Sequence, residues 1–282
     1  MSNSDSHSAL RNTWEAAAPG WAKWEDALSA GFEDVTDNLL DLAAVGPSQR
    51  ILDIACGAGA QTIQAAKRVG TGGTVVASDI SGTMLEQVRQ NAAKAELTNI
   101  QIIEGSAEEL VGTELPFDAA ISRLGLMLFP EPAAAVRAIG AVLKPGGRFA
   151  ALVFTTPANN PFMAGPMRIL LQHAGKEAPA AGRPGIFALG GDGVLETLLS
   201  EAGLSDIKTA TVRAPLRLPT AFDALQMIQQ AFGAYRAVVA DLSDTEKEAA
   251  WSDVEAGLKK MEGDNGFSTE LEFIIGAGAK PL

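Results

Sequence analysis

The segment Ile51-Leu-Asp-Ile-Ala-Cys-Gly-Ala-Gly-Ala-Gln-Thr62 contains the strongest structural signal in the chain. A short apolar run at its start predicts a strand, and a glycine turn and the beginning of a helix follow it. Gly57 and Gly59 can adopt backbone angles that other residues avoid, so a ligand can lie directly against the main chain there. The segment therefore predicts a strand–turn–helix unit with a ligand at its turn.

Two acidic residues narrow the class of ligand. Asp53 lies beside the turn, where its carboxylate would repel a pyrophosphate but attract an ammonium group. Asp79 ends the next apolar run, in the position where nucleotide-binding folds place a carboxylate that accepts both ribose hydroxyls. The pair favours S-adenosylmethionine, whose amino-acid end is cationic, over a nicotinamide dinucleotide.

Later segments resemble, in order, the motifs of class I S-adenosylmethionine-dependent methyltransferases. Gly105-Ser-Ala-Glu108 is similar to the adenine-contacting turn of that family, Phe117–Arg123 to its fourth strand, and Leu143–Arg148 to the turn before its fifth. The similarity covers residues 46–154 and is greatest to the small-molecule enzymes of ubiquinone/menaquinone biosynthesis. It implies an enzyme that transfers a methyl group from S-adenosylmethionine to a small organic acceptor.

The turn and the resemblance together assign cofactor binding to the loops at the carboxyl ends of the strands and to a tryptophan segment near the start. The assigned residues are Trp21, Trp24, Asp53, Ala55, Gly57, Gly59, Gln61, Asp79, Ile80, Met84, Ser106, Ala107 and Arg123.

Several of these assignments have a structural alternative. Asp53 could instead hold backbone N–H groups of the loop. Asp79 could instead cap the next helix, although Ser81 is better placed for that. Arg123 could contact the cofactor, clamp an acidic acceptor or form a structural salt bridge. Trp21 and Trp24 could cover the cofactor, where an aromatic face attracts a sulfonium, or simply pack in an amphipathic helix. Ser106 stands where the family more often has an aspartate, and a hydroxyl accepts a hydrogen bond more weakly.

No general base is evident from the sequence. His173, on a predicted lid helix, is the only histidine outside the N-terminal tail, and imidazole can take a proton from a hydroxyl acceptor. A surface or core position is the alternative for this histidine. No cluster of His, Asp and Glu suggests a metal site.

An apolar acceptor pocket is expected from the second half of the chain, which favours an aromatic or isoprenoid-like acceptor methylated at O, C or N. The residues expected to form it are Phe162, Met163, Met167, Phe187, Phe222, Met227 and Phe232.

The order of apolar runs predicts an α/β fold with a doubly wound, seven-stranded, mostly parallel sheet. An N-terminal helical cap is expected over residues 1–45, interrupted at Pro19-Gly20, and a methyltransferase domain over 46–282. Residues 157–191 and 220–262 are expected to form a lid, with a helix over 221–240, and residues 270–279 a final antiparallel strand. Asp192 is expected to cap a helix that ends at Ala202-Gly203, and a strand over 207–218 is expected to break near Pro215.

Composition restricts the partners. The 282 residues carry a net charge of −12 without any basic run, which disfavours nucleic acids and anionic membranes. No apolar stretch reaches the ~20 residues of a membrane span. The single cysteine fits a reducing cytoplasm, and a homodimer is a further expectation. The rival functions are a non-catalytic or repurposed S-adenosylmethionine-binding protein and, with less support, an NAD(P)-dependent oxidoreductase.

Overall fold

The computed structural model describes residues 3–107, 116–177 and 183–282, with side chains from Arg11 onward. The strands, in chain order, are β1 (Arg50–Ile54), β2 (Thr74–Asp79), β3 (Ile100–Glu104), β4 (Phe117–Arg123), β5 (Leu143–Phe154), β6 (Ser205–Leu218), β7 (Glu262–Gly263) and β8 (Gly266–Ala279). The helices are α1 (Asn3–Ala30), α2 (Glu33–Leu42), α3 (Ala60–Val69), α4 (Gly82–Lys94), α5 (Pro132–Val142), α6 (Pro161–His173), α7 (Val194–Glu201), α8 (Ala221–Ala231), α9 (Gly233–Val238) and α10 (Asp244–Lys259).

The sheet has the strand order β3-β2-β1-β4-β5-β8-β6, and the two-residue strand β7 pairs only with β8. Strands β1 to β5 run parallel to one another, whereas β8 runs antiparallel to both β5 and β6. The doubly wound sheet and its final antiparallel strand are therefore confirmed. The strand order reverses between β1 and β4, and a crevice at the carboxyl ends is expected at such a point.

The central strands are apolar on both faces because helices cover the sheet on both sides. Ile51 and Leu52 of β1, and Val75 and Val76 of β2, are fully buried. Helices α3 and α4 pack against β2, and α7 packs against β6 and β8. None of the described helices is long and apolar enough to cross a membrane.

Helix α1 runs without interruption through Pro19-Gly20, so the predicted break is wrong. A proline inside a helix removes one backbone hydrogen bond, which tertiary contacts must offset. Gly20 permits such a contact, because it has no Cβ: a Cβ at this position would lie only 2.1 Å from the carbonyl oxygen of Gln230 in α8. The Pro-Gly pair therefore marks a close helix–helix approach.

Other boundaries differ where tertiary structure overrides a local signal. Strand β6 continues through Pro215, where a break was expected, since an edge strand tolerates a residue without an N–H. The helix expected over 221–240 is divided at Phe232 into α8 and α9. The residue that caps α7 is Gly193 and not Asp192.

Candidate active site

A cleft opens at the carboxyl ends of β1, β2 and β4. Eleven of the thirteen predicted cofactor residues line it, and Asp53 and Trp24 do not. The eleven are Trp21, Ala55, Gly57, Gly59, Gln61, Asp79, Ile80, Met84, Ser106, Ala107 and Arg123. Glu108, the last residue of the adenine motif, lies outside the described residues.

The glycine turn between β1 and α3 has three residues with positive φ, which are Ala55 at 54°, Gly57 at 55° and Gly59 at 91°. The space around Gly57 is open, so a ligand can approach its backbone. At Gly59 a Cβ would lie 2.9 Å from Cγ2 of Val88 in α4. Gly57 therefore serves the cleft, and Gly59 also serves the packing of α4 beneath the turn.

Asp79 is held in a fixed position at the end of β2. Its Oδ2 accepts a hydrogen bond from the Gly57 N–H and its Oδ1 one from the Ser81 N–H, both at 2.9 Å. Burial raises the pKa of Asp79, although these N–H groups favour the charged form. Each carboxylate oxygen has a lone pair left for a further donor, such as a ribose hydroxyl.

Asp53 is fully buried, and its carboxylate is engaged by side chains of α3. Oδ2 accepts a hydrogen bond from Thr62 Oγ1 at 2.5 Å and Oδ1 one from Gln61 Nε2 at 3.3 Å. Burial raises the pKa of Asp53 to about 7. The structure thus does not bring Asp53 to the cleft, as direct binding of an ammonium group requires, and its bonds instead join β1 to α3.

Arg123 lies at the end of β4 and presents a cation to the cleft. Its Nη1 donates to Thr36 Oγ1 at 2.9 Å, and its guanidinium lies 5.5 Å from the ring centre of Phe32. Burial lowers the pKa of Arg123 to about 10, while the negative charges of Asp53 and Glu25 raise it. The guanidinium is therefore anchored to α2 and remains charged at neutral pH.

The two tryptophans assigned to the cofactor have different surroundings. Trp21 lines the cleft. The centre of its ring lies 6.4 Å from that of Trp14, and the ring packs edge-on against Phe232. Trp24 faces α8 instead, where its Nε1 donates to Gln230 Oε1 at 3.0 Å. Trp24 therefore anchors α1, and its predicted place at the cofactor lacks the necessary geometry.

His173 is also remote from the cleft lining. It ends α6, and its Nε2 lies 2.8 Å from Asp253 Oδ2 in α10, because α6 packs against α10. The structure thus does not place His173 where a base could reach an acceptor, which leaves its predicted catalytic role without geometric support.

The residues expected to form the acceptor pocket do not line the cleft. Phe162, Met163 and Met227 belong to the core, and Phe222 is 54% exposed. Within the described parts of 157–191 and 220–262, no residue lines the cleft. The apolar wall comes instead from α1, the α1–α2 connection and the loop after β4, namely Trp14, Leu28, Phe32, Leu128 and Phe129.

Sequence reasoning missed Glu25, which brings a half-buried carboxyl group from α1 to the cleft. The signal was present, because Trp14, Trp21, Glu25 and Leu28 lie 7, 4 and 3 residues apart and so share one helix face. Such spacing indicates that this face of the helix is buried, but it does not indicate which residues or ligand pack against it.

The comparisons with known proteins identify the family. Residues 46–173 match the family model described as a methyltransferase domain. The chain is 31% identical to nocamycin O-methyltransferase of Saccharothrix syringae over 202 residues, which are 67% of this chain and 71% of that protein. It is 32% identical to the ubiquinone/menaquinone biosynthesis C-methyltransferase UbiE of Teredinibacter turnerae over 158 residues, 55% of this chain and 64% of the relative.

Among solved structures, a Bacillus halodurans protein described as a methyltransferase shares the fold. The TM-score is 0.59 at 19% identity, and the match covers 88% of this chain and 99% of that one.

The chain belongs to the S-adenosylmethionine-dependent methyltransferases. It is an enzyme that uses S-adenosylmethionine and acts on small molecules. The residues present fit this cofactor, because Gly57 leaves its backbone open, Asp79 offers a fixed carboxylate, and Ile80 and Met84 offer apolar surface. The two rival functions find no support in the comparisons.

Proposed function

We propose that the acceptor is a flat or elongated, largely apolar molecule of aromatic or isoprenoid type, with a hydroxylated ring as the best fit. One observation carries the proposal: the apolar side chains of Trp14, Phe32, Leu128 and Phe129 line the same cleft as the glycine turn. Aromatic and aliphatic walls bind such molecules by apolar burial, and a few polar groups set their orientation.

The relatives support the same class of acceptor. One is named an O-methyltransferase of nocamycin and the other a C-methyltransferase of quinone biosynthesis. A hydroxylated ring offers a nucleophile of either kind, at its oxygen or at an adjacent carbon. Methylation at one of these atoms is therefore part of the proposal.

The side chains in the cleft act mainly by positioning the acceptor and excluding water. The cofactor supplies a methyl group on a sulfonium, which is already electrophilic. The aromatic wall holds the acceptor, α1 covers the cleft, and Asp79 and Gly57 fix the turn. Alignment of two reactants can supply effective molarities of roughly 10⁵–10⁸ M, so such a site can work without a strong base.

Methyl transfer to a panel of acceptors tests the proposal. Mass spectrometry would follow transfer from labelled cofactor to phenols, naphthoquinols and isoprenoid alcohols, with ethanolamine and glycine derivatives as polar counterparts. We expect transfer to the ring compounds. Preferential transfer to the polar amines would contradict the proposal.

The variant Phe129→Ala tests the location of the acceptor. It should raise the KM of the acceptor about 10- to 100-fold, since a benzyl group buried against a ligand contributes roughly 1.5–3 kcal/mol. Phe222→Ala, which removes an exposed ring outside the cleft, is the matched control and should change nothing. Binding of S-adenosylhomocysteine should be the same in both variants. Equal acceptor KM values for the two would place the acceptor elsewhere.

Two further expectations from the sequence stay predictions. Light scattering of the purified protein tests the homodimer, and fractionation of the source cells tests the cytoplasmic location.

A further inference from the structure

The polar part of the cleft contains two opposite charges that the proposed chemistry has not used. Glu25 reaches it from α1 and Arg123 from β4, and the two side chains interact electrostatically. An anion and a cation that face one cavity form a complementary pair for a ligand that is itself a zwitterion.

Glu25 is held in place by Asn91 of α4. Asn91 Nδ2 donates to Oε1 and Oε2 of Glu25 at 2.8 and 3.0 Å, and to the carbonyl oxygen of Ala58 at 3.0 Å. One amide group therefore connects the carboxylate of α1 to the glycine turn. This connection places Glu25 beside the residues that receive the cofactor.

Two other carboxyl groups lie near the turn. Asp53 is fully buried, bonded to Thr62 and Gln61 and outside the cleft lining, and Asp79 stands at the ribose position, where it accepts from the N–H groups of Gly57 and Ser81. Glu25 keeps acceptor capacity on both oxygens, because each accepts only one hydrogen bond from Asn91.

We propose that Glu25 binds the α-ammonium group of S-adenosylmethionine and that Arg123 faces the α-carboxylate of the same molecule. Helix α1 is then part of the cofactor site and not only a cover over the acceptor. The ammonium ligand comes from the cap, in place of the motif residue Asp53. This inference rests on the cofactor and is independent of the acceptor proposed above.

Calorimetry with two ligands tests the proposal without any acceptor. S-adenosylhomocysteine has the amino-acid end, whereas 5′-methylthioadenosine has the same nucleoside and thioether sulfur but lacks that end. Glu25→Gln keeps the size and removes the charge. It should weaken binding of S-adenosylhomocysteine at least tenfold and leave binding of methylthioadenosine within twofold of the parent.

Asp26→Asn is the matched control, since it makes the same change at the next residue, which is exposed and outside the cleft lining. It should leave both affinities within twofold. Methylthioadenosine binding also reports whether each variant keeps a folded site, and Glu25→Asp provides a second variant that retains the charge and should recover part of the loss.

Two results would overturn the proposal. Unchanged binding of S-adenosylhomocysteine to Glu25→Gln, with or without a fall in kcat, would show that the carboxylate does not bind the ammonium group. An equal loss for both ligands would assign Glu25 a structural role in the turn. Neither result would affect the proposed acceptor, which the panel of methyl acceptors tests separately.

Discussion

Asp79 both lines the cleft and holds the backbone of the fold around it. Its hydrogen bonds with the N–H groups of Gly57 and Ser81 fix the glycine turn and the start of α4. Asp79→Ala should weaken binding of S-adenosylhomocysteine by ~1.5–3 kcal/mol, the scale of hydrogen bonds to a charged group. Calorimetry measures this, with Glu86→Ala, an exposed acid of α4, as control. Equal affinities in the two variants would mean that the ribose lies elsewhere.

The raised pKa of Asp53 predicts how the stability of the folded protein depends on pH. Its pKa is raised from 3.8 to about 7 in the folded protein, so folding favours the protonated form. The stabilisation is fully present below about pH 4 and is lost as the pH rises through about 7. The Asn side chain of Asp53→Asn stays neutral at every pH. Between about pH 4 and 7 the free energy of unfolding of the parent should therefore fall relative to that of the variant, by an amount of order 4 kcal/mol.

Urea unfolding of the ligand-free protein at several values between pH 4.5 and 8 measures that difference. Asp118→Asn is the control whose carboxyl titrates outside this range. The pKa of Asp118 is lowered by hydrogen bonds from the Arg50 N–H and Lys144 against an opposing effect of burial. Its stabilisation is therefore lost only as the pH falls below about 4, and between pH 4.5 and 8 the profile of this variant should run parallel to that of the parent. Parallel pH profiles for the parent and Asp53→Asn would contradict the account of Asp53.

At the scale of elements, the contact between α1 and α8 decides whether the cleft is covered. Gly20→Ala would bring a Cβ to 2.1 Å from the Gln230 carbonyl oxygen, so α1 must shift. We expect a loss of ~1–3 kcal/mol in the free energy of unfolding. Gly165→Ala in α6 is the matched control, because no atom lies within 4 Å of its Cβ. It should gain up to ~1 kcal/mol of helix propensity. The contact would be ruled out if both variants gained stability.

Helix α1 is also tied to the cofactor side of the sheet. Arg11 pairs with Glu104 at the end of β3, and Glu15 accepts a hydrogen bond from the Thr83 hydroxyl in α4. If α1 closes one side of the cofactor site, bound S-adenosylhomocysteine should slow hydrogen exchange of the amides of residues 14–25. Amides of α10, outside the cleft lining, serve as the internal reference. Equal exchange in α1 with and without ligand would separate the helix from the site.

At the scale of the whole molecule, the elements that the sequence predicted well are those with local signals. The strand–turn–helix unit around Gly57 and Gly59 follows from apolar runs and glycines, and Ser81 caps α4 through its hydroxyl as the sequence indicated. These signals lie within a few residues of the structure that they specify.

The parts that sequence reasoning missed depend on contacts between distant segments. The amphipathic pattern of α1 shows that one face is covered, but not that Glu25 meets Asn91 or that Trp24 meets Gln230. For the same reason the apolar residues after β5 were assigned to an acceptor pocket although the structure buries Met163 and Met227 in the core. The periodicity of apolar residues predicts which face of a helix is buried, but not which segment of the chain packs against it.

Calorimetric titration with S-adenosylmethionine, S-adenosylhomocysteine, NAD and NADP tests the assignment of the cleft most directly. We expect micromolar binding of the first two ligands and no binding of the dinucleotides, because the chain belongs to the S-adenosylmethionine-dependent methyltransferases and the carboxylates of Glu25 and Asp79 line the cleft, where they repel a pyrophosphate. Binding of a dinucleotide alone, or of none of the four ligands, would contradict this assignment.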